Sequence, residues 1–188
     1  MKNLRLLSLL LGVLASAGAN AGNFPAEERE VWLGAAEVMD ESFDTWFTDG
    51  EFERCIPLLK IRYEVDPSSY DWVTDLGWIL GSTDKPDEEL AYYVRFRREN
   101  ASDSDCALPE AQFYFLKKVY AKVPPLLEGT LDSKSHPNNY RILANSYEKL
   151  GQLKNSKKTW ETYLKLDPND GQAKVNLKRV IDKLGNKA

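Results

Sequence analysis

The sequence predicts an all-α fold, built from antiparallel pairs of helices that follow one another along the chain. Bulky apolar residues recur at steps of 34, 34 and 33 residues, and they are Leu59, Tyr93, Leu127 and Trp160. Twice that spacing relates residues 55–59 (CIPLL) to residues 123–127 (VPPLL). A period of this length is typical of stacked helical hairpins, in which each hairpin is one repeat.

Residues 138–170 show the pattern of a single hairpin most clearly. Apolar residues are spaced three and four apart in both halves, and Gly151 interrupts the pattern in the middle. This spacing predicts two amphipathic helices with a tight turn between them. The stretch resembles a tetratricopeptide (TPR) repeat that begins at Pro137. The matching residues are Leu143, Ala144, Tyr147, Gly151, Trp160 and Pro168, while Ser156 replaces the usual alanine.

The same frame fits three more copies upstream. The small-residue position of the first helix reads Phe43, Gly77, Ala111 and Ala144, so that only Phe43 departs from the pattern. The predicted repeats are 36–69, 70–103, 104–136 and 137–170. The resemblance implies a right-handed superhelical array, or α-solenoid, in which the first helix of each pair (helix A) lines the concave side and the second (helix B) lies outside.

Several residues test this frame. Glu89 falls where helix B usually has a small residue, which predicts looser packing or a slip of about one residue there. Pro57, Pro124 and Pro125 are predicted to lie in the first turns of their helices, where a missing N–H costs little. Pro86, followed by three acidic residues, predicts the start of a helix.

The first 21 residues have the layout of a cleavable signal peptide. Lys2 and Arg5 precede an apolar run, and small residues lead to Ala21. This layout predicts export, to the periplasm or out of the cell, with a mature chain that begins near Gly22. No later stretch is apolar enough to predict a membrane span.

Both ends of the array are predicted to be capped. Residues 22–35 extend the first helix upstream, and residues 171–188 form a helix with apolar residues on one face and basic residues on the other. Such a helix suits the end of an array, because terminal repeats need a polar outer face. The formal net charge is −4, and it becomes −6 once Lys2 and Arg5 are removed with residues 1–21. An acidic chain without a basic stripe argues against nucleic acid as a partner and weakly favours a cationic or neutral one.

The sequence offers no catalytic, metal or cofactor motif. His136 is the single histidine, in a loop between repeats, where we expect it to be solvated. No glycine-rich phosphate loop, CxxC pair or HExxH helix occurs. We therefore predict no cofactor and no enzymatic activity. For Cys55 and Cys106, the exported compartment favours a disulfide and the repeat geometry opposes one, so the sequence leaves the pairing open.

The candidate binding site is the concave groove. Inward positions of helix A bring aromatic rings next to polar side chains, a combination that suits peptide binding. Packing between neighbouring helices explains Trp78 and Phe115 equally well. TPR domains that hold carboxylates use basic and amide residues where Arg141, Asn145 and Asn176 occur, although the full clamp cannot form here. The candidate groove residues are Asp44, Phe47, Trp78, Phe115, Arg141, Asn145 and Asn176.

The leading hypothesis is an exported scaffold that binds a protein or peptide in this groove and acts in envelope assembly or secretion. The alternatives are a glycan-binding module that uses Trp78 and Phe115, and an envelope-polymer hydrolase that uses groove carboxylates such as Asp44. Self-association through an uncapped edge is a further possibility, because the sequence does not define the oligomeric state.

Overall fold

The structure is a computed structural model, and it describes residues 26–186. Within this range the chain forms nine α-helices and one short 3-10 helix, and none of these helices is long and apolar enough to cross a membrane. The predicted signal peptide, residues 1–21, lies outside the described residues. The chain divides into two compact units, residues 1–99 and residues 100–188, which we call unit 1 and unit 2.

Unit 1 consists of two helix pairs. Its helices are α1 (Ala26–Thr48), α2 (Phe52–Val65), α3 (Tyr70–Ser82) and α4 (Pro86–Glu99). The turn between α1 and α2 contains Gly50 at φ 75°, a left-handed conformation that glycine adopts without steric cost. The predicted helix start at Pro86 is confirmed, because α4 begins at this residue and carries its acidic residues in the first turn. Ser69 caps α3, since its hydroxyl accepts a hydrogen bond from the Trp72 N–H.

Unit 2 contains two further pairs and a final helix. Its helices are α5 (Leu108–Leu116), a 3-10 turn (Tyr120–Lys122), α6 (Val123–Leu127), α7 (Pro137–Lys149), α8 (Leu153–Leu166) and α9 (Gly171–Gly185). The α5 and α6 helices are short, with 9 and 5 residues. The predicted turn at Gly151 is confirmed, because this residue has φ 74° and lies between α7 and α8.

The recurring apolar residues are packing residues of the second helix in each pair, as predicted. Leu59 and Leu127 have 0% exposure, Trp160 has 1% and Tyr93 has 7%. They lie on α2, α6, α8 and α4 respectively. The period in the sequence therefore reflects the burial of one large side chain per helix pair. Burial of apolar surface is the main favourable contribution to folding.

Glu89 is accommodated by a glycine on the neighbouring helix. A methyl group added at Gly81 of α3 would lie 2.7 Å from Glu89 Oε2, and one added at Gly77 would lie 2.0 Å from Tyr93 Oη. The small residues in this pair thus lie on α3, so that α4 can carry large ones. Two glycines one turn apart form the groove that receives Tyr93 and Glu89.

The expectation for Pro57 was wrong. The α2 helix begins at Phe52, so Pro57 is its sixth residue and lies inside the helix. A proline there removes one backbone hydrogen bond, normally made to the carbonyl of Glu53. Both residues are exposed, so water can satisfy that carbonyl. Pro124 and Pro125, in contrast, are the second and third residues of α6, in its first turn as predicted.

Two remaining predictions concern His136 and the cysteines. His136 is exposed, as expected, but it also caps α7, because its Nδ1 accepts a hydrogen bond of 3.2 Å from the Asn138 N–H. No disulfide joins Cys55 and Cys106, and both side chains are buried. The question that the sequence left open is answered in favour of separate cysteines that act as small core residues.

Candidate functional site

A pocket of about 420 Å³ lies between α1 and α3 in unit 1. Ser69, at the start of α3, also contributes to its wall. We call this site the acidic pocket, because four of the seven residues around it are aspartates. The lining residues are Asp40, Phe43, Asp44, Ser69, Asp71, Trp72 and Asp75.

Within the part of the chain that the structure describes, only one of the four aspartates has a cationic partner. The Arg62 guanidinium lies 3.3 Å from Asp40 Oδ1, and it stacks over the Trp72 ring at 4.0 Å from the ring centre. Asp44, Asp71 and Asp75 make no ion pair with any described residue. Burial, and then the neighbouring charge of Asp71, raises the pKa of Asp75. The pocket therefore concentrates negative charge that the surrounding side chains do not neutralise.

An exposed group of aromatic rings adjoins this pocket. Phe47 lies between the rings of Phe43 and Trp78, with ring centres 5.5 Å from each, and it also contacts Phe52 at 5.5 Å. Phe52 and Trp78 meet edge to face at 5.7 Å. We call these four rings the aromatic cluster. Trp78 remains 52% exposed and Phe47 40% exposed, so the cluster presents apolar surface to solvent although its members pack against one another.

Three of the predicted site residues come together in unit 1. Asp44 lines the acidic pocket, and Phe47 and Trp78 are in direct ring contact in the aromatic cluster. Trp78 meets both descriptions that the sequence left open, since it packs between helices and is half exposed. The frame missed Phe52, which belongs to the second helix of its pair, and Asp75, which gave no signal of its own.

Arg141 of unit 2 is already paired. Its Nη2 lies 2.8 Å from Asp170 Oδ2, and the same nitrogen donates a longer hydrogen bond, of 3.4 Å, to the Tyr163 hydroxyl. The pKa of the Asp170 carboxyl falls to about 2, chiefly because of this hydrogen bond from Arg141. Asn145 donates its amide to the Arg141 carbonyl at 2.8 Å. These residues hold α7 and the start of α9 together.

Asn145 and Asn176 are linked through Arg179 of α9. The Arg179 guanidinium donates hydrogen bonds to Asn176 Oδ1 at 2.7 Å and to Asn145 Oδ1 at 3.4 Å. It also pairs with Glu148 at 2.7 Å, as does Lys183. Hydrogen bonds from Arg179 and then Lys183 lower the pKa of Glu148. The structure thus links Arg141, Asn145 and Asn176 through hydrogen bonds, and the network also contains Arg179, Lys183 and the Glu148 carboxylate, which the sequence did not indicate.

Phe115 stands apart from these residues of unit 2. Its ring meets Tyr120 edge to face at 5.4 Å and is half-buried, beside an exposed Leu116. Among the residues that the structure describes, no group of three or more His, Cys, Asp or Glu side chains is arranged to hold a metal ion. The two candidate surfaces are therefore the acidic pocket with its aromatic cluster in unit 1, and the charged network of α7 and α9 in unit 2.

Comparisons with known proteins identify the fold. No protein-family model matches the sequence, and no curated protein does. Among solved structures, one similar chain is the first TPR of Spaghetti (RPAP3) bound to the HSP90 peptide SRMEEVD. It has a TM-score of 0.52 and 22% identity, over 60% of this chain and 93% of that one.

Two other solved structures match over more of the chain. A MamA RS-1 double mutant has a TM-score of 0.62 at 14% identity, covering 80% of this chain and 85% of that one. PilF of Pseudomonas aeruginosa has a TM-score of 0.60 at 19% identity, covering 81% of this chain and 72% of that one. The chain is an all-α protein with a TPR-like helical-repeat fold, as the sequence predicted.

Proposed function

We propose that this protein is an exported, non-enzymatic scaffold that binds a protein or peptide on the side of unit 1 formed by α1 and α3. The observation that carries the proposal is the exposure of the aromatic cluster, in which Trp78 and Phe47 are 52% and 40% accessible. Contiguous apolar surface of this kind, with a polar rim, is typical of interaction sites. Here the acidic pocket forms part of the rim.

The ring contacts make the cluster suitable for binding. Phe47 is in contact with three other rings at 5.5 Å, so its orientation is fixed before a partner arrives. Rigid aromatic side chains provide a large contact area and lose little conformational entropy on binding. A partner would thus gain most from covering Phe47 and Trp78.

The fold supports the same class of function. The similar RPAP3 domain is bound to a peptide, and this precedent favours a peptide or protein ligand for a chain with the same fold. The layout of residues 1–21 supports export. An exported scaffold without a catalytic motif would serve in envelope assembly or secretion, where other proteins have to be held together.

The test is affinity capture from an envelope extract with the chain that begins at Gly22. The informative variant is Phe47→Ala with Trp78→Ala, and its matched control is Val38→Ala, which changes another exposed apolar residue of α1, 62% accessible. We expect the double variant to lose a partner that the wild type and the control both retain. An unchanged set of captured proteins would contradict the proposal.

Two further measurements address enzymatic activity and export. Hydrolysis of an envelope polymer that disappears in Asp44→Ala would favour the hydrolase alternative, because Asp44 lines the pocket. Cell fractionation, with sequencing of the N-terminus, tests export. The proposal requires a processed chain that begins near Gly22 outside the cytoplasm, and a full-length cytoplasmic chain would contradict it.

A further inference from the structure

The acidic pocket and the aromatic cluster form one continuous surface, because Phe43 belongs to both. Phe43 lines the pocket, and its ring centre is 5.5 Å from that of Phe47. The ring centre of Phe47 is in turn 5.5 Å from that of Trp78. A single short segment of a partner can therefore contact both parts of the surface.

The charge of this surface selects the partner. Asp44, Asp71 and Asp75 have no ion pair among the described residues, so a cation could approach them without displacing another cation. An anionic segment, in contrast, would be repelled by all three carboxylates. The chain without residues 1–21 has a formal charge of −6, since −4 loses the two basic residues Lys2 and Arg5, and this adds long-range attraction for cations.

One cation of the protein itself illustrates how this surface holds a guanidinium. Arg62 stacks on the face of Trp72 at 4.0 Å and pairs with Asp40 at 3.3 Å. The combination of an aromatic face and a carboxylate is well suited to guanidinium or ammonium groups. Trp72 and Asp40 line the same pocket as the three carboxylates that have no ion pair among the described residues.

We infer, on the basis of the proposed function, that the partner presents a basic and apolar segment to unit 1. A lysine or arginine of this segment enters the acidic pocket, and an apolar side chain of the same segment covers Phe47 and Trp78. The partner segment thus has a defined charge, which is positive, and a defined pattern of one basic and one apolar side chain. It departs from the acidic sequence SRMEEVD that is bound to the RPAP3 domain.

The geometry also limits the spacing of the two side chains. An extended chain advances about 3.3–3.6 Å per residue. The path from the Phe43 ring centre through that of Phe47 to that of Trp78 consists of two distances of 5.5 Å. The basic and apolar residues of an extended segment should therefore be about two to four positions apart. Burial, and then the charge of Asp71, raises the pKa of Asp75, and a cation bound in the pocket would offset the repulsion between these two carboxylates.

The experiment is a titration of the isotopically labelled chain from Gly22 with short synthetic peptides, followed by amide NMR spectra. The first peptide carries one arginine and one leucine three positions apart in a glycine and serine background. In the second, citrulline, which has nearly the same shape and no charge, replaces the arginine. In the third, glutamate replaces it. We expect the arginine peptide to bind about tenfold more tightly than the citrulline peptide and to shift signals of α1 and α3.

Variants of the protein locate the effect. Asp44→Asn with Asp71→Asn should weaken binding of the arginine peptide about tenfold and leave the citrulline peptide unaffected. The matched control, Glu161→Gln with Asp182→Asn, makes the same change of net charge at exposed positions of α8 and α9. It should bind within about twofold of the wild type, because neither residue lines the acidic pocket and salt screens exposed charges.

The outcomes separate this inference from the proposed function. Equal binding of the arginine and citrulline peptides, tighter binding of the glutamate peptide, or no binding at all would overturn the inference. The proposed function would then still stand if capture of the natural partner depended on Phe47 and Trp78. If capture did not depend on these two residues, the proposed function itself would fail.

Discussion

Replacement of Asp170 tests how the last helix is attached. Its side chain is 8% exposed and has three partners. One carboxylate oxygen caps α9 by accepting the Ala173 N–H at 2.9 Å, and the other accepts hydrogen bonds from Arg141 at 2.8 Å and from the Tyr163 hydroxyl at 3.0 Å. Asparagine is as good an N-cap as aspartate, so Asp170→Asn removes the charge and keeps the cap, whereas Asp170→Ala removes both.

The two contributions can be estimated separately. The pKa of Asp170 falls from 3.8 to about 2 in the folded protein, and at about 1.4 kcal/mol per pKa unit this corresponds to about 2 kcal/mol. Arg141 is 42% exposed, and solvent screening reduces the contribution to about 1 kcal/mol. Loss of an N-cap costs about 1 kcal/mol more. We therefore expect Asp170→Asn to lower the free energy of unfolding by about 1 kcal/mol and Asp170→Ala by about 2 kcal/mol.

The charge contribution has a defined pH dependence. The folded-state pKa of Asp170 is below the unfolded value, so the contribution is fully present above a pH of about 3.8 and is lost as the pH falls towards about 2. The difference between the wild type and Asp170→Asn should therefore shrink over this range. Urea unfolding followed by circular dichroism, at neutral pH and at steps below 3.8, measures it.

A control and two outcomes make this prediction decisive. Asp182→Asn removes an exposed carboxylate from the same helix, and it should change the free energy of unfolding by less than about 0.5 kcal/mol. If Asp170→Asn were as stable as the wild type at neutral pH, the ion pair with Arg141 would contribute nothing. If the asparagine and alanine variants were equally unstable, the cap would be without effect.

Three further predictions concern packing inside each unit, taken separately. Gly77→Ala should lower the free energy of unfolding, measured by thermal melts, by about 2 kcal/mol, because the added methyl group would lie 2.0 Å from Tyr93 Oη. A methyl group added at Gly34 would have no atom within 4 Å, so the control Gly34→Ala should be neutral or stabilising. Ser156→Ala should raise the free energy of unfolding in urea by about 1 kcal/mol, because the buried hydroxyl has no partner in the described part of the chain. A loss of stability would show that this hydroxyl makes a hydrogen bond in the folded protein. Both cysteines should resist a thiol reagent in the folded protein, where burial raises the pKa of the Cys55 thiol. Both should react in denaturant without a reductant, and detection of one or no reactive thiol would contradict the absence of a disulfide.

The helices and their pairing could be predicted because the signals are local. Pro86 starts a helix and Gly151 breaks one through the properties of their own backbone, whatever they contact. The period of the large residues reports burial on helix B, which repeats with each hairpin. The error at Pro57 also has a local cause. Proline removes one backbone hydrogen bond, but α2 continues through it because water can replace that bond at an exposed position.

The candidate site could be predicted only in part, because its contacts join different helices. Asp44, Phe47 and Trp78 were found from their positions on helix A, and two of them meet directly. Phe52 was missed because its ring reaches the cluster from the start of α2, and the repeat pattern does not encode that approach. Arg179 was missed for the same reason, since its hydrogen bonds to Asn145 and Asn176 depend on how α9 is rotated against α7.

The two candidate surfaces differ in whether a charged ligand would have to displace an existing ion pair. On unit 2, a ligand carboxylate would have to compete with Glu148 for Arg179 and Lys183, so each new ion pair would replace an existing one. On unit 1, a cation would meet the carboxylates of Asp44 and Asp71, which have no ion pair among the described residues. Exchange of one ion pair for another yields little free energy, whereas a new pair beside an apolar surface adds to the burial of that surface. Ligand specificity should therefore reside in unit 1, while the charged residues of unit 2 stabilise the packing of α9.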